Sequence, residues 1–224
     1  MKNNPDIIWL DVAESSNDEA RKAIDSLDNL SVVAVRCQTS GRGQGTNSWE
    51  SAPGENLTFS IILKDLNILP KEQIVISQIT ALSVVELLEK HGIEAKIKLP
   101  NDIYVGSKKI CGILIENTLC SNKIRWSIIG IGINVNQTVF PTHLPNPTSI
   151  LLETGIHGPG MCRKINPEKG LGLDLNQLLI EFHEIYSQYY HNHIIRNNYL
   201  DDNSKSRLEA LDQLFRSKLI CCKA

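Results

Sequence analysis

Residues 41–49 read Gly-Arg-Gly-Gln-Gly-Thr-Asn-Ser-Trp, and residues 98–102 read Lys-Leu-Pro-Asn-Asp. Both segments carry the residue types that hold an anion. Gly41, Gly43 and Gly45 have no side chain, so backbone N–H groups of their loop can come close to a charged group. Arg42 adds a planar fork of donors that suits phosphate or carboxylate. Lys98 ends a strand, which Pro100 and Asn101 then break. A lysine pinned there can neutralise charge that develops at a phosphoryl group, although a strand-end lysine is more often simply solvated. Trp49 is open to two roles, a core side chain or a surface on which a base stacks. Asp102 is open to three: pairing with Lys98, helping to hold a metal, or capping the turn. Together the two segments describe an anionic substrate site of a kind that suits a nucleotide.

Other chemistries find little support. The glycine loop does not open a helix, as a dinucleotide-binding turn must; Asn47, Ser48, Pro53, Gly54, Glu55 and Asn56 carry it on into a strand. No Gly-Lys-Ser/Thr follows, so it is not a Walker A loop. His191 and His193 are two apart, and His143, His157 and Cys162 fall in loops, with no metal-ligand spacing. No Gly-x-Ser-x-Gly frames a serine nucleophile. A net charge of −2 gives no basic field for nucleic acid or an acidic membrane. The cysteines, at 37, 111, 120, 162, 221 and 222, form no Cys-x-x-Cys pair and are expected as reduced thiols of a cytoplasmic protein. The first residues lead into no apolar targeting segment, and no stretch is long enough to span a membrane.

The elements that must position these residues are set by pattern. The 224 residues fit one large domain, or one domain with a small appendage, and their 42% hydrophobic content supplies a core. Asp6–Val12, Val32–Cys37 and Leu57–Leu63 read as strands, the last two flanking the glycine loop. Ser16 with Glu19 spells a capping box, and Ala20, Ala23, Ile24 and Leu27 follow at helical spacing. Pro70 opens a helix to about His91, stopped by Gly92, with Ile76, Ile79, Leu82, Val85 and Leu88 on its apolar stripe. Ala95–Lys98, Ile103–Val105, Lys109–Asn117 and Ile124–Val135 are expected as an antiparallel meander turning at Gly106-Ser107 and Ser121-Asn122. The unbroken apolar runs Ile110–Ile115 and Ile128–Val135 imply a sheet covered on both faces. Gly155–Gly172 reads as a long connection without regular structure. Asp174 caps a helix bearing Leu175, Leu178, Leu179, Phe182, Ile185, Tyr186 and Tyr189 on one face, and a polar helix spans about Asp201–Phe215.

A family likeness runs through the ordered motifs. Glu14-Ser15-Ser16-Asn17, Gln38-Thr39-Ser40-Gly41-Arg42-Gly43, Trp49, Lys98-Leu99-Pro100-Asn101-Asp102, Lys109-Ile110-Cys111-Gly112-Ile113-Leu114-Ile115-Glu116, Gly130-Ile131-Gly132-Ile133-Asn134 and Pro145-Asn146-Pro147-Thr148-Ser149 stand in family order over about residues 8–152. In this the chain resembles the biotin protein ligases. The resemblance implies an α+β fold, a mixed, mostly antiparallel sheet flanked by helices, like that of class II aminoacyl-tRNA synthetases. It implies an ATP-dependent enzyme that activates biotin as biotinyl-5′-AMP with Mg2+ and transfers it to a lysine of a biotin carboxyl carrier protein. It implies that Lys98 and Arg42 are catalytic. Ser15, Ser16, Asn17, Gln38, Gly41, Arg42, Gly43, Gln44, Lys98 and Gly112 would hold biotin, and Arg42, Gly45, Trp49, Lys98, Asn101 and Asn134 would hold ATP; no protein ligand to a metal is assigned. Such chemistry brings two anions together, which calls for fixed positive charge, and makes a labile adenylate, which calls for a loop that closes out water. Residues 41–49 are accordingly expected to be mobile until an anion neutralises Arg42.

The chain also departs from the family pattern. Gln44 stands where many members carry arginine, and Leu99 replaces the usual tryptophan. The sequence stops eight residues after Leu214-Phe215-Arg216, where the family enters a small C-terminal β-barrel. The expected organisation is a catalytic domain over 1–200 and a helical tail over 201–224, without that barrel. Only 14 residues precede Ser15, so no DNA-binding domain and no DNA partner are expected. Exposed strands of the meander are candidates for pairing two subunits. Two rival functions stay open: a lipoate ligase or acyltransferase of the same fold, and a non-catalytic relative that only binds biotin or a nucleotide.

Overall fold

The computed structural model describes residues 6–66, 68–155, 163–166, 170–195 and 204–220. Its centre is a sheet of β1 (Ile7–Ala13), β2 (Val32–Gln38), β3 (Leu57–Lys64), β4 (Lys96–Lys98), β5 (Asp102–Val105), β6 (Lys108–Cys120) and β7 (Lys123–Ile133), in the order β1-β2-β3-β7-β6-β5-β4. β1 and β2 run parallel and every other neighbouring pair antiparallel, so the sheet is mixed and mostly antiparallel as expected. A parallel pair needs a crossover, and α1 (Ser16–Lys22) lies within it. The expected meander is β4 to β7.

Alternation along the strands sorts residues between two faces. Phe59 and Ile61 of β3, Ile129, Ile131 and Ile133 of β7, and Ile113 of β6 enter the main core. There they meet α2 (Ile74–Lys90), α4 (Leu175–Tyr190) and α5 (Ser204–Ser217). Val33, Ile62 and Ile128 point the other way, into a smaller cluster with Ala20 of α1. Of the two apolar runs expected to be covered on both faces, β7 leaves Gly130 partly open, and β6 is only half-buried beyond Ile113; β3, buried from Leu57 to Leu63, is the strand that fits the expectation. α2 is buried on most of its circumference because it lies between the sheet and two helices. Its Thr80 and Ser83 hydroxyls satisfy themselves on the carbonyls of Ile76 and Ile79.

Several local expectations are corrected. Ser15, not Ser16, is the N-cap of α1, and it makes no side-chain capping bond; Glu19 pairs with Lys22 instead. Ser16 is drawn away because its hydroxyl and amide serve the sheet beneath it, as described below. Pro70 starts a separate 3₁₀ turn, Pro70–Glu72, ahead of α2. The connection after α3 (Ile150–Thr154) contains a hairpin, β8 (Arg163–Asn166) with β9 (Gly170–Leu173), hidden in the sequence by its glycines. His157, Cys162, Cys221 and Cys222 lie outside the described residues; Cys37, Cys111 and Cys120 are free thiols. Asp174 caps α4 as expected, accepting from the amide of Asn176.

The helical tail folds back into the core. Leu211 and Phe215 are buried, and Asp212 accepts from Gln78 of α2. The segment after α5 then pairs with the outer strand: Ile97 donates to Lys218 O at 2.8 Å and accepts from Ile220 N–H at 2.9 Å. The meander edge, a candidate for pairing two subunits, is thereby used along Ile97. At the centre of the helical layer, Phe182 is fully buried, edge-on to Phe59 with centroids 5.2 Å apart and stacked on Tyr186 at 5.9 Å. Phe182→Ala should destabilise the fold by about 3–5 kcal/mol, the usual cost of deleting a buried aromatic ring. Denaturant unfolding measures it, and a loss below about 1 kcal/mol would mean that the layer repacks freely.

Candidate active site

On the α1 side of the sheet, register lines up the site in rows. Lys98, Asp102, Gly112, Gly132 and Thr58 are successive partners across β4, β5, β6, β7 and β3. The next row on the same face is Leu114, Gly130 and Ser60, and beyond it lie Glu116 and Ile128. The glycines make the floor. The Trp49 indole lies on Gly112 and Gly132; a Cβ on Gly112 would stand 2.9 Å from Trp49 Cζ3, and one on Gly132 would run into Cε2. Asn17 fills the space over Gly130 in the same way. Trp49 therefore reaches the sheet only because two strand positions have no side chain.

Around Asn17 the polar groups interlock. The Ser16 amide donates to Gln38 Oε1 at 2.7 Å. Ser60 Oγ lies 2.8 Å from Ser16 Oγ and donates to Asn17 Oδ1 at 2.6 Å. Asn17 Nδ2 donates to Glu116 Oε2 at 2.8 Å. Ser16 and Asn17 are buried, and these bonds are what makes their burial tolerable; Ser15 is buried beside them.

Arg42, Lys109 and Lys98 each already have a partner. Arg42 forks onto Glu116, Nη1 to Oε1 at 3.0 Å and Nη2 to Oε2 at 2.9 Å, while Nη2 also donates to Asp18 at 2.8 Å. The expectation that only a bound anion would neutralise Arg42 is thus wrong: two carboxylates of the chain do so, one from α1 and one from β6. Burial alone would raise the Glu116 carboxyl, but hydrogen bonds from Arg42 and Asn17 and the charges of Arg42 and Arg21 outweigh it and hold it below the ordinary carboxylate range. Lys109 Nζ lies 2.6 Å from Asp102 Oδ1 as an ion pair outside hydrogen-bond alignment, and 5.6 Å over the Trp49 ring. Asp102 thus pairs with Lys109, a role outside the three left open for it. Lys98 is exposed and turned to Tyr104, 3.3 Å from its hydroxyl and 4.6 Å above its ring.

The loop closes on itself. Arg42 and Ser48 form an antiparallel bridge, Gly43 N–H donates to Asn47 O at 2.8 Å and Trp49 N–H to Gly41 O at 2.9 Å. The cleft that remains encloses about 110 Å³, less than the roughly 300 Å³ at which ligand sites usually begin. Of the residues expected at the site, Ser15, Ser16, Asn17, Gln38, Arg42, Gly43, Gln44, Trp49, Asn101 and Gly112 line it. Lys98, Gly41, Gly45 and Asn134 are not among its lining residues. Gly41 borders a neighbouring groove with Trp49 and Val139, and Asn134 is buried, donating to Thr148 O at 2.8 Å. Residues the sequence reading gave no part are Asp18, Ser60 and Glu116; strand alternation from Gly112 through Leu114 was the signal that places Glu116 on this face.

The first half of the chain matches the model of the biotin/lipoate A/B protein ligase family over residues 9–134, more than half its length. The chain belongs to that family. It is 37% identical over 134 residues to the bifunctional ligase/repressor BirA of Bacillus subtilis, covering 58% of this chain and 41% of that protein. It is 26% identical over 171 residues to the biotin–[acetyl-CoA-carboxylase] ligase of Paracoccus denitrificans, covering 71% and 66%. The chain thus spans about two-fifths of the Bacillus relative. In fold it is similar to a biotin protein ligase from Aquifex aeolicus in complex with biotin and ATP, with a TM-score of 0.71 at 24% identity over 98% of this chain and 79% of that one.

The ionised Glu116 is favoured by folding, so its contribution is complete above the ordinary carboxylate range and is lost as pH falls through its depressed folded value. Between about pH 6 and 3, Glu116→Gln should therefore show a shallower fall in melting temperature than the unmodified protein. Parallel acid limbs in thermal melts would mean that the Arg42 pairing adds nothing to stability.

Proposed function

We propose that this chain is an ATP-dependent ligase that activates biotin as biotinyl-5′-AMP and passes it to a lysine of a carrier protein of the biotin carboxyl carrier type. The observation that carries the reading is the glycine-floored cleft, lined by the short polar groups of Ser16, Asn17 and Gln38 and by the cations Arg42 and Lys109. The short polar groups suit the neutral ureido ring of biotin; the cations suit its carboxylate and the α-phosphate. Names of relatives, several of them biotin–protein ligases, favour biotin over lipoate.

In the first step a carboxylate oxygen of biotin bonds to the α-phosphorus and the bond to pyrophosphate breaks. In the second, the carrier's lysine amine attacks the acyl carbon, AMP leaves, and the amine gives up its proton. Magnesium enters as part of the substrate, MgATP; among the described residues no three His, Cys, Asp or Glu gather to hold a metal. Trp49 supplies the face for adenine once it leaves the glycine floor. Lys98 turns from Tyr104 to the phosphoryl group, and the contact it gives up is exposed and so worth only about 0.5–1 kcal/mol. Asn101, bonded to Ile113 O at 2.9 Å, keeps the Lys98 turn against β6. The carrier protein is the partner; among the described residues no helix is long and apolar enough to cross a membrane.

Pyrophosphate release from ATP should be triggered by biotin and not by lipoate; release with lipoate alone would overturn the assignment. Lys98→Ala should slow biotinyl-AMP formation at least ~100-fold, the scale for one oriented donor of charge, with the melting curve unchanged; a fully active variant removes Lys98 from the chemistry. Gln44 lines the cleft where many members have a second arginine. Gln44→Arg should slow dissociation of biotinyl-AMP about tenfold or more, since a charged hydrogen bond is worth roughly 1.5–3 kcal/mol. An unchanged off-rate would mean that a neighbour, Lys96 or Lys109, already supplies that charge.

A further inference from the structure

Arg42 has few donors to offer an incoming anion. Of its five N–H groups, Glu116 takes one on Nη1 and one on Nη2, and Asp18 takes the second on Nη2, which leaves one Nη1–H and the Nε–H. The two carboxylates are not equivalent. Glu116 sits on a strand in the sheet, receives the fork, and also holds Asn17 at 2.8 Å and Arg21 at 3.2 Å. Asp18 sits in the first turn of α1 and meets Arg42 through one bond. Their side chains are 23% and 35% exposed. Displacing Glu116 would break four interactions at once and free the Asn17 amide; displacing Asp18 breaks one, and water can reach the carboxylate that is left. The cluster is also balanced in charge, with Asp18 and Glu116 against Arg21 and Arg42, so a third anion enters favourably only where one of the two withdraws.

We propose that Asp18 occupies the place of the substrate's carboxylate and gives way when the acid binds, whereas Glu116 is a positioning residue that holds Arg42 and Asn17 throughout. This rests on the biotin-activating reading above. Asp18 competes with the substrate, and Glu116 assists it. The acid is then recognised by its charge as well as by its ring, because an uncharged analogue cannot take over the donor that Asp18 vacates. Glu116 also ties the polar groups at Asn17 to the guanidinium, since one carboxylate fixes both the Asn17 amide and the Arg42 plane.

Calorimetry with biotin and with its alcohol, biotinol, on the unmodified protein, Asp18→Asn, Asp18→Ala and Glu116→Gln tests the pair. Asp18→Ala guards against an asparagine that still accepts from Arg42. Removing the Asp18 charge should tighten biotin about tenfold, close to the low end for one hydrogen bond to a charged group, and leave biotinol unchanged. Glu116→Gln should weaken biotin about tenfold and also lower the rate of biotinyl-AMP formation at saturating biotin. Shifts of the same sign in both sets of variants, or equal tightening of biotinol, would overturn the proposal while leaving the ligase reading intact. Failure of the unmodified protein to bind biotin at all would overturn that reading, and this proposal with it.

Discussion

The fork between Arg42 and Glu116 is the contact through which the site's parts are held in relation to one another. It joins a glycine-rich loop, which has little to pack, to β6, which lies in the sheet. The same carboxylate fixes Asn17 of α1, and through Asn17 and Ser60 the hydrogen bonds reach β3 and Ser16. A guanidinium in a half-buried place would be costly alone, and two carboxylates make it tolerable. The price is a cleft in which Arg42 is already neutralised before any ligand arrives. Catalysis on the proposed reading is then an exchange of partners around a retained anchor, more than the filling of an empty cation site.

The sheet gives this arrangement its precision. Lys98, Asp102, Gly112, Gly132 and Thr58 share one row, so a slip of one residue in any of these strands would send that strand's members into the core face. The core guards the register: Ile113, Ile129, Ile131 and Phe59 are its other face, and they are buried against the helices. The same glycines that weaken a strand's packing open the floor on which Trp49 and Asn17 lie. The tail after α5 contributes from the far edge, clamping Ile97, the residue before Lys98, between two backbone bonds.

Much of this was legible in the sequence. Strand periods, the helix caps at Gly92 and Asp174, and the ordered motifs led to the mixed sheet and to ten of the cleft's lining residues. What escaped depended on partners far apart in the chain. Ser16 looked like a cap because local pattern cannot reveal that Gln38 and Ser60 compete for it. Arg42 looked unpaired because Glu116 is distant in sequence and meets it only once β6 is in register. The hairpin of β8 and β9 was lost to the glycines around it and in β9, Gly170 and Gly172, which read as loop. Lys98 was rightly placed at a strand end, but where its side chain turns is decided by Tyr104 across the hairpin.

The claim that Arg42 acts from its anchor on Glu116 is tested most directly by a double-mutant cycle. Single-turnover formation of biotinyl-AMP from biotin and MgATP would be measured in the unmodified protein, Arg42→Gln, Glu116→Gln and the double variant. If Glu116 works through Arg42, the double variant should be no slower than Arg42→Gln alone, with a coupling of roughly 0.5–3 kcal/mol. Additive losses, each substitution slowing the reaction by its own factor in the presence of the other, would show that the two side chains act separately and would contradict the account.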